Sequence, residues 1–162
     1  MTGHREGSPA ADTFAPDNPP AIPEGFGVLG AGGPFIQSNG PLFLRRQGAE
    51  VQFGFRVEQR HVNTMGNLHG GMMATFCDML LPLSVHHKTT ELEGRFLPTI
   101  SLQVDYLAPV RLGMWVQGEA GPLRITRSLV FAQGLVTADG EPCARVSGVF
   151  KIGPEVPGMA VE

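Results

Sequence analysis

The sequence predicts an α+β fold in which one antiparallel sheet packs on one long helix. Three observations favour this class. An apolar segment with helical periodicity begins near Gly70, a run of segments with alternating apolar and polar residues follows it, and Asp139-Gly140 is a hairpin-type turn between the last two segments. A strand before one long helix and several strands after it are typical of a sheet whose helix lies on one face.

The strands are recognised by alternation with period two. Residues 51–58 alternate as a half-buried strand should, and residues 41–46 form a short leading strand. Four further strands are predicted at 98–108, 113–120, 124–137 and 143–152. In the first of these, strict alternation assigns one face to Ile100, Leu102, Val104 and Tyr106 and the other to Thr99, Ser101, Gln103 and Asp105.

The predicted helix carries an apolar stripe and one carboxylate outside it. Asp78 lies about 200° around the helix axis from Phe76 and Leu80, so it projects from the opposite side. Small residues on that side allow a ligand to approach closely. Pro82 is expected to end or kink the helix, because its ring displaces the Asp78 carbonyl from helical bonding. The stripe comprises Met72, Met73, Phe76, Leu80 and Leu83, and the small residues are Gly71, Ala74 and Thr75.

Composition limits the function. Hydrophobic residues make up 42% and charged residues 17% of the 162 residues, so the chain can bury a core of about one domain. A net charge of −3 without a basic block gives no reason to expect nucleic acid, and no apolar run is long enough to cross a membrane. The beginning of the chain lacks an apolar signal core, and Cys77 and Cys143 are read as two reduced thiols, which predicts a cytoplasmic protein.

Three regions are expected along the chain. Residues 1–40 are rich in Pro, Gly and Ala and are predicted to be a flexible leader, residues 41–152 the folded domain, and residues 153–162 a C-terminal tail. The glycines of 25–35 are similar to those of a phosphate-binding loop. However, no strand precedes them, no Gly-Lys-Ser/Thr closes them and no helix is expected to follow, so a flexible or surface-packed segment is favoured.

The start of the helix suggests acyl-transfer chemistry. The N–H groups of Gly70 and Gly71 lack intrahelical partners and favour an oxyanion, and glycine leaves the backbone open to a ligand. About two turns later, Asp78 could act as a general base or a nucleophile. Spacing alone leaves open a plain alternative, a glycine-started helix with a solvent-facing aspartate.

Histidines near the helix invite other hypotheses. His69 has no histidine or carboxylate at the spacing of a helical metal site, so no metal is expected. We predict that its ring bonds to the loop backbone instead. His86-His87 mark the helix end, where cationic groups are tolerated. A Ser-His-Asp triad is disfavoured because no G-x-S-x-G motif is present.

One longer motif runs from the loop into the helix. It reads His61-x-Asn63-x-x-Gly66-x-x-His69-Gly70-Gly71, with Asp78 nine residues after the histidine. This motif resembles the signature of hotdog-fold acyl-CoA thioesterases, above all the PaaI-like, phenylacetate-pathway group. The resemblance covers 41–152 and includes Tyr106-Leu107-Ala108-Pro109. It implies a hotdog fold, an antiparallel sheet wrapped around one long central helix.

The resemblance also implies an activity. Such an enzyme hydrolyses an acyl-CoA thioester to a free acid and coenzyme A. No cofactor is implied, because coenzyme A is part of the substrate. The partners implied are acyl-CoA and further copies of the chain, as a homodimer or a dimer of dimers.

Site residues follow from the same resemblance. The Gly70 N–H would bind the thioester carbonyl, Asp78 would act as base or nucleophile, Asn63 would place substrate or water, and the Thr99 hydroxyl would assist the carboxylate. The site would be shared between subunits, with Asn63 and Gly70 of one chain facing Asp78 and Thr99 of its neighbour. The family often has a small residue where this chain has Pro82.

Substrate-binding residues are less sharply indicated. His69 and Gly71 adjoin the carbonyl-binding position, and the resemblance places coenzyme A phosphates near Arg124, Arg127 and Ser128, since arginine pairs with phosphate through its planar guanidinium. Solvated charges at a strand end are an equal alternative for the arginines.

Two rival functions remain open. A hotdog hydratase or dehydratase of acyl thioesters would rely on an Asp/His pair near the helix start, and no aspartate precedes the histidine at that spacing. A non-catalytic acyl-CoA-binding module would share the pocket but would not release coenzyme A.

Overall fold

The computed structural model describes residues 21–48 and 50–156. In this part of the chain, one long helix packs on one face of a seven-stranded antiparallel sheet with the strand order β1-β2-β3-β5-β6-β7-β4. The α+β prediction is therefore confirmed. The elements are β1 (Gly27–Val28), α1 (Gly33–Asn39), β2 (Phe43–Gln47), β3 (Glu50–Arg56), α2 (Gly70–Lys88), β4 (Thr99–Tyr106), β5 (Trp115–Ile125), β6 (Leu129–Ala138) and β7 (Glu141–Lys151).

The core lies between α2 and the sheet, and glycines let the two approach. A Cβ at Gly118 would lie 2.5 Å from a methyl group of Leu80, and a Cβ at Gly148 would lie 2.8 Å from one of Leu81. The predicted apolar stripe is buried as expected. Pro82 does not end the helix, which continues to Lys88, and His86 and His87 lie in its last turn, as predicted.

All six predicted strands are present, although several boundaries differ and β1 was not predicted. β5 continues to Ile125, so Arg124 lies in β5 and not at the start of the next strand, which begins at Leu129. The hairpin turn between β6 and β7 has the positive φ angles of Asp139 (47°) and Gly140 (93°). Two successive residues with positive φ are what the predicted Asp-Gly hairpin turn requires.

A β-bulge at the start of β4 reverses the face of Thr99. Thr99 pairs with Phe150 and Ser101 pairs with the adjacent Val149, so Ile100 is an extra residue in β4. Because of this residue, Thr99 lies on the face toward α2. The prediction that placed Thr99 on the same face as Ser101 is therefore wrong. The residues that share the inner face with Thr99 are Leu102, Val104 and Tyr106.

The prediction of a flexible leader is wrong for residues 21–40. They contain β1 and α1, and Leu29 and Ile36 are buried in the main core. A short helix, α1, begins at Gly33 within the glycine-rich stretch, where no helix was expected. The first 20 residues lie outside the described part of the chain.

The predicted C-terminal tail is likewise partly folded. The Gly153 N–H donates to the Phe96 carbonyl at 2.8 Å, and the Val156 N–H donates to the Gly94 carbonyl at 2.9 Å. Residues 153–156 therefore continue the domain, and residues 157–162 lie outside the described ones. Among the described helices, none has the length and apolarity that a membrane crossing needs.

Candidate active site

The first turn of α2 leaves one backbone donor without an acceptor. A helix leaves its first four N–H groups without intrahelical partners. The Gly71 N–H donates to His69 Nδ1 at 2.9 Å, and the N–H groups of Met72 and Met73 donate to the His69 carbonyl at 2.9 and 3.2 Å. For the Gly70 N–H, the described residues provide no acceptor. This group, at the positive end of the helix, is therefore available to an anion or a carbonyl oxygen.

The two glycines of this turn are explained by contacts within the chain. A Cβ at Gly71 would lie 3.0 Å from His69 Nδ1, which is tight enough to displace the ring. A Cβ at Gly70 would touch the Tyr106 hydroxyl oxygen at 3.4 Å, an ordinary van der Waals contact. We expected these glycines to open the backbone to a ligand, but within the chain Gly71 makes room for the histidine that caps the helix. The His69 ring does bond to the backbone, but its partner is the first turn of α2 and not the loop that the prediction named.

The loop before α2 is held by Asn63 and His61. The Asn63 Oδ1 accepts the N–H groups of Met65 at 2.9 Å and Asn67 at 3.3 Å. The His61 carbonyl accepts the N–H of His69 at 2.8 Å. Because the amide oxygen of Asn63 is used inside the loop, only its NH₂ group can serve a substrate or a water molecule.

Asp78 and Thr99 form a hydrogen-bonded pair. The Thr99 hydroxyl donates to Asp78 Oδ1 at 2.6 Å, the short distance typical of a hydroxyl bonded to a carboxylate. The β4 bulge makes this contact possible, because it turns Thr99 toward the helix. Asp78 is half-buried, and its Oδ2 has no partner among the described residues. The carboxylate is thus oriented by Thr99 and still has one oxygen available for chemistry.

The Gly70 N–H and the Asp78–Thr99 pair are separated within one chain. Gly70 and Asp78 are eight residues apart on α2, which corresponds to about 12 Å along the axis. The structure brings Asp78 and Thr99 together, and it places the Asn63 loop next to Gly70. It does not bring the free Gly70 N–H and the Asp78 carboxylate of the same chain to one substrate atom.

The phosphate-binding candidates lie away from Asp78. Arg124 pairs with Phe131, on the sheet face opposite α2. The Ser128 carbonyl accepts the Ile152 N–H at 2.9 Å. Arg127 lines an open cavity of about 310 Å³ together with Arg95 and three carboxylates, a lining of mixed charge that includes neither Asp78 nor Thr99. The carboxylates in that cavity belong to Glu91, Glu93 and Glu155.

The cysteines of the core are not nucleophiles. Cys77 adjoins Asp78, and burial raises the pKa of its thiol to about 12. Burial also raises the pKa of Cys143 to about 11. Both therefore remain protonated at neutral pH, and reactive thiols need the thiolate. The described residues also contain no cluster of three or more metal-ligating side chains.

His61 is buried in its neutral form. Its Nδ1 accepts the Glu58 N–H at 3.0 Å, and its Nε2 lies 2.8 Å from the Asn39 carbonyl oxygen, which identifies Nε2 as the protonated nitrogen. Burial lowers the pKa of His61 below its usual 6.5, and burial likewise lowers the pKa values of His86 and His87. Charging His61 would place a proton on Nδ1, against the Glu58 N–H.

These histidines predict how stability depends on pH. The unfolded chain binds protons near pH 6.5, and the folded chain binds them only at lower pH, so folding stability is full above pH 6.5 and falls as the pH decreases below it. We expect Tm to fall as the pH decreases from about 6.5 to 5.5, a window above the carboxylate range. His61→Gln should show a smaller fall. A Tm that rises toward the acidic end of this window would contradict this assignment.

Tyr106 is a residue near the site to which sequence reasoning gave no role. Its hydroxyl donates to the Gly70 carbonyl at 2.8 Å. Alternation does place Tyr106 on the inner face of β4, but the partner of its hydroxyl depends on where the helix begins relative to the end of the strand. Only the tertiary structure supplies that information.

A comparison with protein families agrees with this fold. Residues 65–144, from the loop before α2 into β7, match the family model described as the thioesterase superfamily. Residues 65–144 are therefore a domain of the thioesterase superfamily, and the fold around them is the hotdog fold.

Two relatives show how far the similarity extends. The chain is 25% identical over 132 residues to a Pseudomonas aeruginosa protein named "Putative esterase", a match that covers 81% of this chain and 97% of that protein. It is 30% identical over 77 residues to acyl-coenzyme A thioesterase 13 of Mus musculus, covering 48% of this chain and 53% of the mouse protein. The chain thus spans about half the length of the mouse relative.

Two solved structures share the fold. A mutant of the phenylacetic acid degradation protein PaaI from Thermus thermophilus has a TM-score of 0.59 at 22% identity, covering 73% of this chain and 97% of PaaI. A hypothetical thioesterase from Streptococcus pneumoniae, solved with coenzyme A, has a TM-score of 0.64 at 16% identity, covering 75% of this chain and 96% of that chain. At these identities the likeness establishes the fold.

Proposed function

We propose that the protein is an acyl-CoA thioesterase, which hydrolyses an acyl-CoA to a free acid and coenzyme A. One observation carries the proposal: α2 presents a free Gly70 N–H at its positive end and an Asp78 carboxylate oriented by Thr99 further along. A donor for a developing oxyanion and an activated oxygen nucleophile are the two groups that thioester hydrolysis needs. The names of the esterase and thioesterase relatives support this reaction.

The reaction requires two copies of the chain, and β4 is the element that can join them. It is the last strand of the described sheet and pairs there only with β7, so its other edge offers unpaired backbone groups. Its large apolar side chains, Ile100 and Tyr106, are 58% and 57% exposed, and the adjacent Leu107 is 56% exposed. An open edge with exposed apolar side chains favours pairing with another strand.

Symmetry supports a site shared between two copies. Antiparallel pairing of two β4 strands about an axis midway along the strand would set Thr99 of each copy opposite Tyr106 of the other. In each chain Thr99 contacts Asp78, and Tyr106 contacts Gly70. The same two-fold axis would therefore bring the Gly70 N–H of one copy toward the Asp78 carboxylate of the other. A dimer of dimers would repeat this arrangement.

The chemistry follows from these groups. The Gly70 N–H hydrogen-bonds the thioester carbonyl oxygen and stabilises its negative charge as the tetrahedral centre forms. Asp78 removes a proton from water that attacks the carbonyl carbon, or its own oxygen attacks first and water then hydrolyses the anhydride. Collapse of the tetrahedral centre breaks the carbon–sulfur bond, and the leaving thiolate takes up a proton. Neither route needs a metal or a cofactor.

The test is release of free coenzyme A from a panel of acyl-CoAs that differ in chain length and aromatic character. A thiol reagent reports the product, and the buried, protonated cysteines of the chain should add little background. We expect turnover that Asp78→Asn abolishes. Tight binding of acyl-CoA without release would overturn the proposal in favour of a binding module, and addition or loss of water at the acyl chain would favour a hydratase or dehydratase.

A further inference from the structure

Tyr106 makes a direct contact with the first turn of α2. It ends β4, and its hydroxyl donates to the Gly70 carbonyl oxygen at 2.8 Å. The Tyr106 ring also packs beside Gly70, since a Cβ at Gly70 would lie 3.5 and 3.6 Å from two of its ring carbons. A tyrosine hydroxyl titrates near pH 10, so this group is a protonated donor at neutral pH, and partial burial raises the pKa of Tyr106 further.

The same peptide group is bonded at its other end. The carbonyl of Gly70 and the N–H of Gly71 belong to one peptide unit, and that N–H donates to His69 Nδ1 at 2.9 Å. The Tyr106 hydroxyl, this peptide and the His69 ring thus form one chain of hydrogen bonds. Bonds arranged in this way polarise and strengthen one another.

This turn needs external support more than most. Glycine is among the least favourable residues in a helix, and α2 begins with two glycines. Its first carbonyl lies where helices fray. A bond from a strand of the sheet to that carbonyl fixes the peptide next to the free Gly70 N–H.

We propose that Tyr106 is a positioning residue: it holds the Gly70–Gly71 peptide so that the Gly70 N–H stays aimed at the substrate carbonyl. The inference rests on the proposed thioesterase function for its catalytic consequence, but not for its structural part. It assigns to the only tyrosine of the chain a task distinct from those of Asp78 and Thr99.

The structural part is tested by amide hydrogen exchange in Tyr106→Phe, which keeps the ring and removes the hydroxyl. Exchange of the Gly71, Met72 and Met73 amides should accelerate about fivefold, the equivalent of one hydrogen bond of ~1 kcal/mol. Thr137→Val is the matched control, because it removes a hydroxyl that donates to a strand carbonyl, that of Gln117, and it should leave these amides unchanged. Unchanged exchange in Tyr106→Phe would overturn the inference.

The catalytic part is tested by steady-state kinetics with an acyl-CoA that the wild type hydrolyses. Tyr106→Phe should lower kcat about five- to tenfold and leave KM within about twofold, because the lost bond supports the transition state more than substrate binding. An unchanged kcat would overturn the positioning role. If the wild type hydrolyses no acyl-CoA, the proposed function fails, while faster exchange in the variant would still support the structural contact.

Discussion

Asp78→Asn is expected to lower kcat by about 10³-fold or more while the protein stays folded. The amide has the size of the carboxylate and still offers an oxygen to the Thr99 hydroxyl, which donates at 2.6 Å in the wild type. It can neither remove a proton from water nor attack a thioester. Because Asp78 is only half-buried, little packing depends on it.

The matched control for this variant is Asp105→Asn. Asp105 is the carboxylate of β4 that binds Arg145 at 2.7 Å, on the sheet face away from α2. That substitution should keep kcat close to the wild-type value. Rates from coenzyme A release, with circular dichroism to verify folding, provide the measurement. An Asp78→Asn enzyme that keeps more than about a tenth of the activity would remove Asp78 from the mechanism.

Much of the fold could be predicted because periodicity and burial agree. The apolar stripe of α2 is buried as its spacing predicts, and the Asp139-Gly140 turn has the required positive φ angles. Each of these features depends on residues close in sequence. Features of this kind can be predicted because they do not depend on contacts with distant parts of the chain.

Features that depend on distant contacts could not be predicted. The bulge at Ile100 breaks alternation without any glycine or proline to announce it, so strict alternation placed Thr99 on the wrong face. Leu29 and Ile36 stand in a glycine-rich stretch without periodicity, and their burial depends on the core that the rest of the chain forms. The sequence therefore identified candidate residues, but it did not predict the direction in which the backbone orients their side chains.

The proposed sharing of the site between two copies illustrates the same limit of sequence reasoning. Sequence spacing places Gly70 and Asp78 on one helix, and only the family resemblance implied a site shared between subunits. The helix geometry separates them by about 12 Å. Thr99 contacts Asp78 and Tyr106 contacts Gly70 at opposite ends of one edge strand, so the proposed two-fold pairing would bring Gly70 of one copy toward Asp78 of the other.

Gly70→Pro should remove the proposed oxyanion donor with little disturbance of the helix. Proline lacks the N–H and is favoured at the first helical position. The residue before a proline must be extended, and His69 already has φ −63° and ψ 134°. We expect kcat to fall about 10²- to 10³-fold, as when one oxyanion donor is lost. Gly70→Ala keeps the N–H, and its Cβ would meet Tyr106 at an ordinary 3.4 Å, so it should lose far less.

Mixing Gly70→Pro chains with Asp78→Asn chains tests whether the two groups come from different subunits. In a hybrid dimer, one site receives the intact Gly70 N–H from the Asp78→Asn chain and the intact carboxylate from the Gly70→Pro chain. An equal mixture contains half hybrids with one working site in two, so roughly a quarter of wild-type activity should return after subunit exchange. Each variant exchanged with itself should stay inactive. A tag on one chain lets native mass spectrometry detect the hybrid dimers. If hybrids form and no activity returns, a shared site is ruled out.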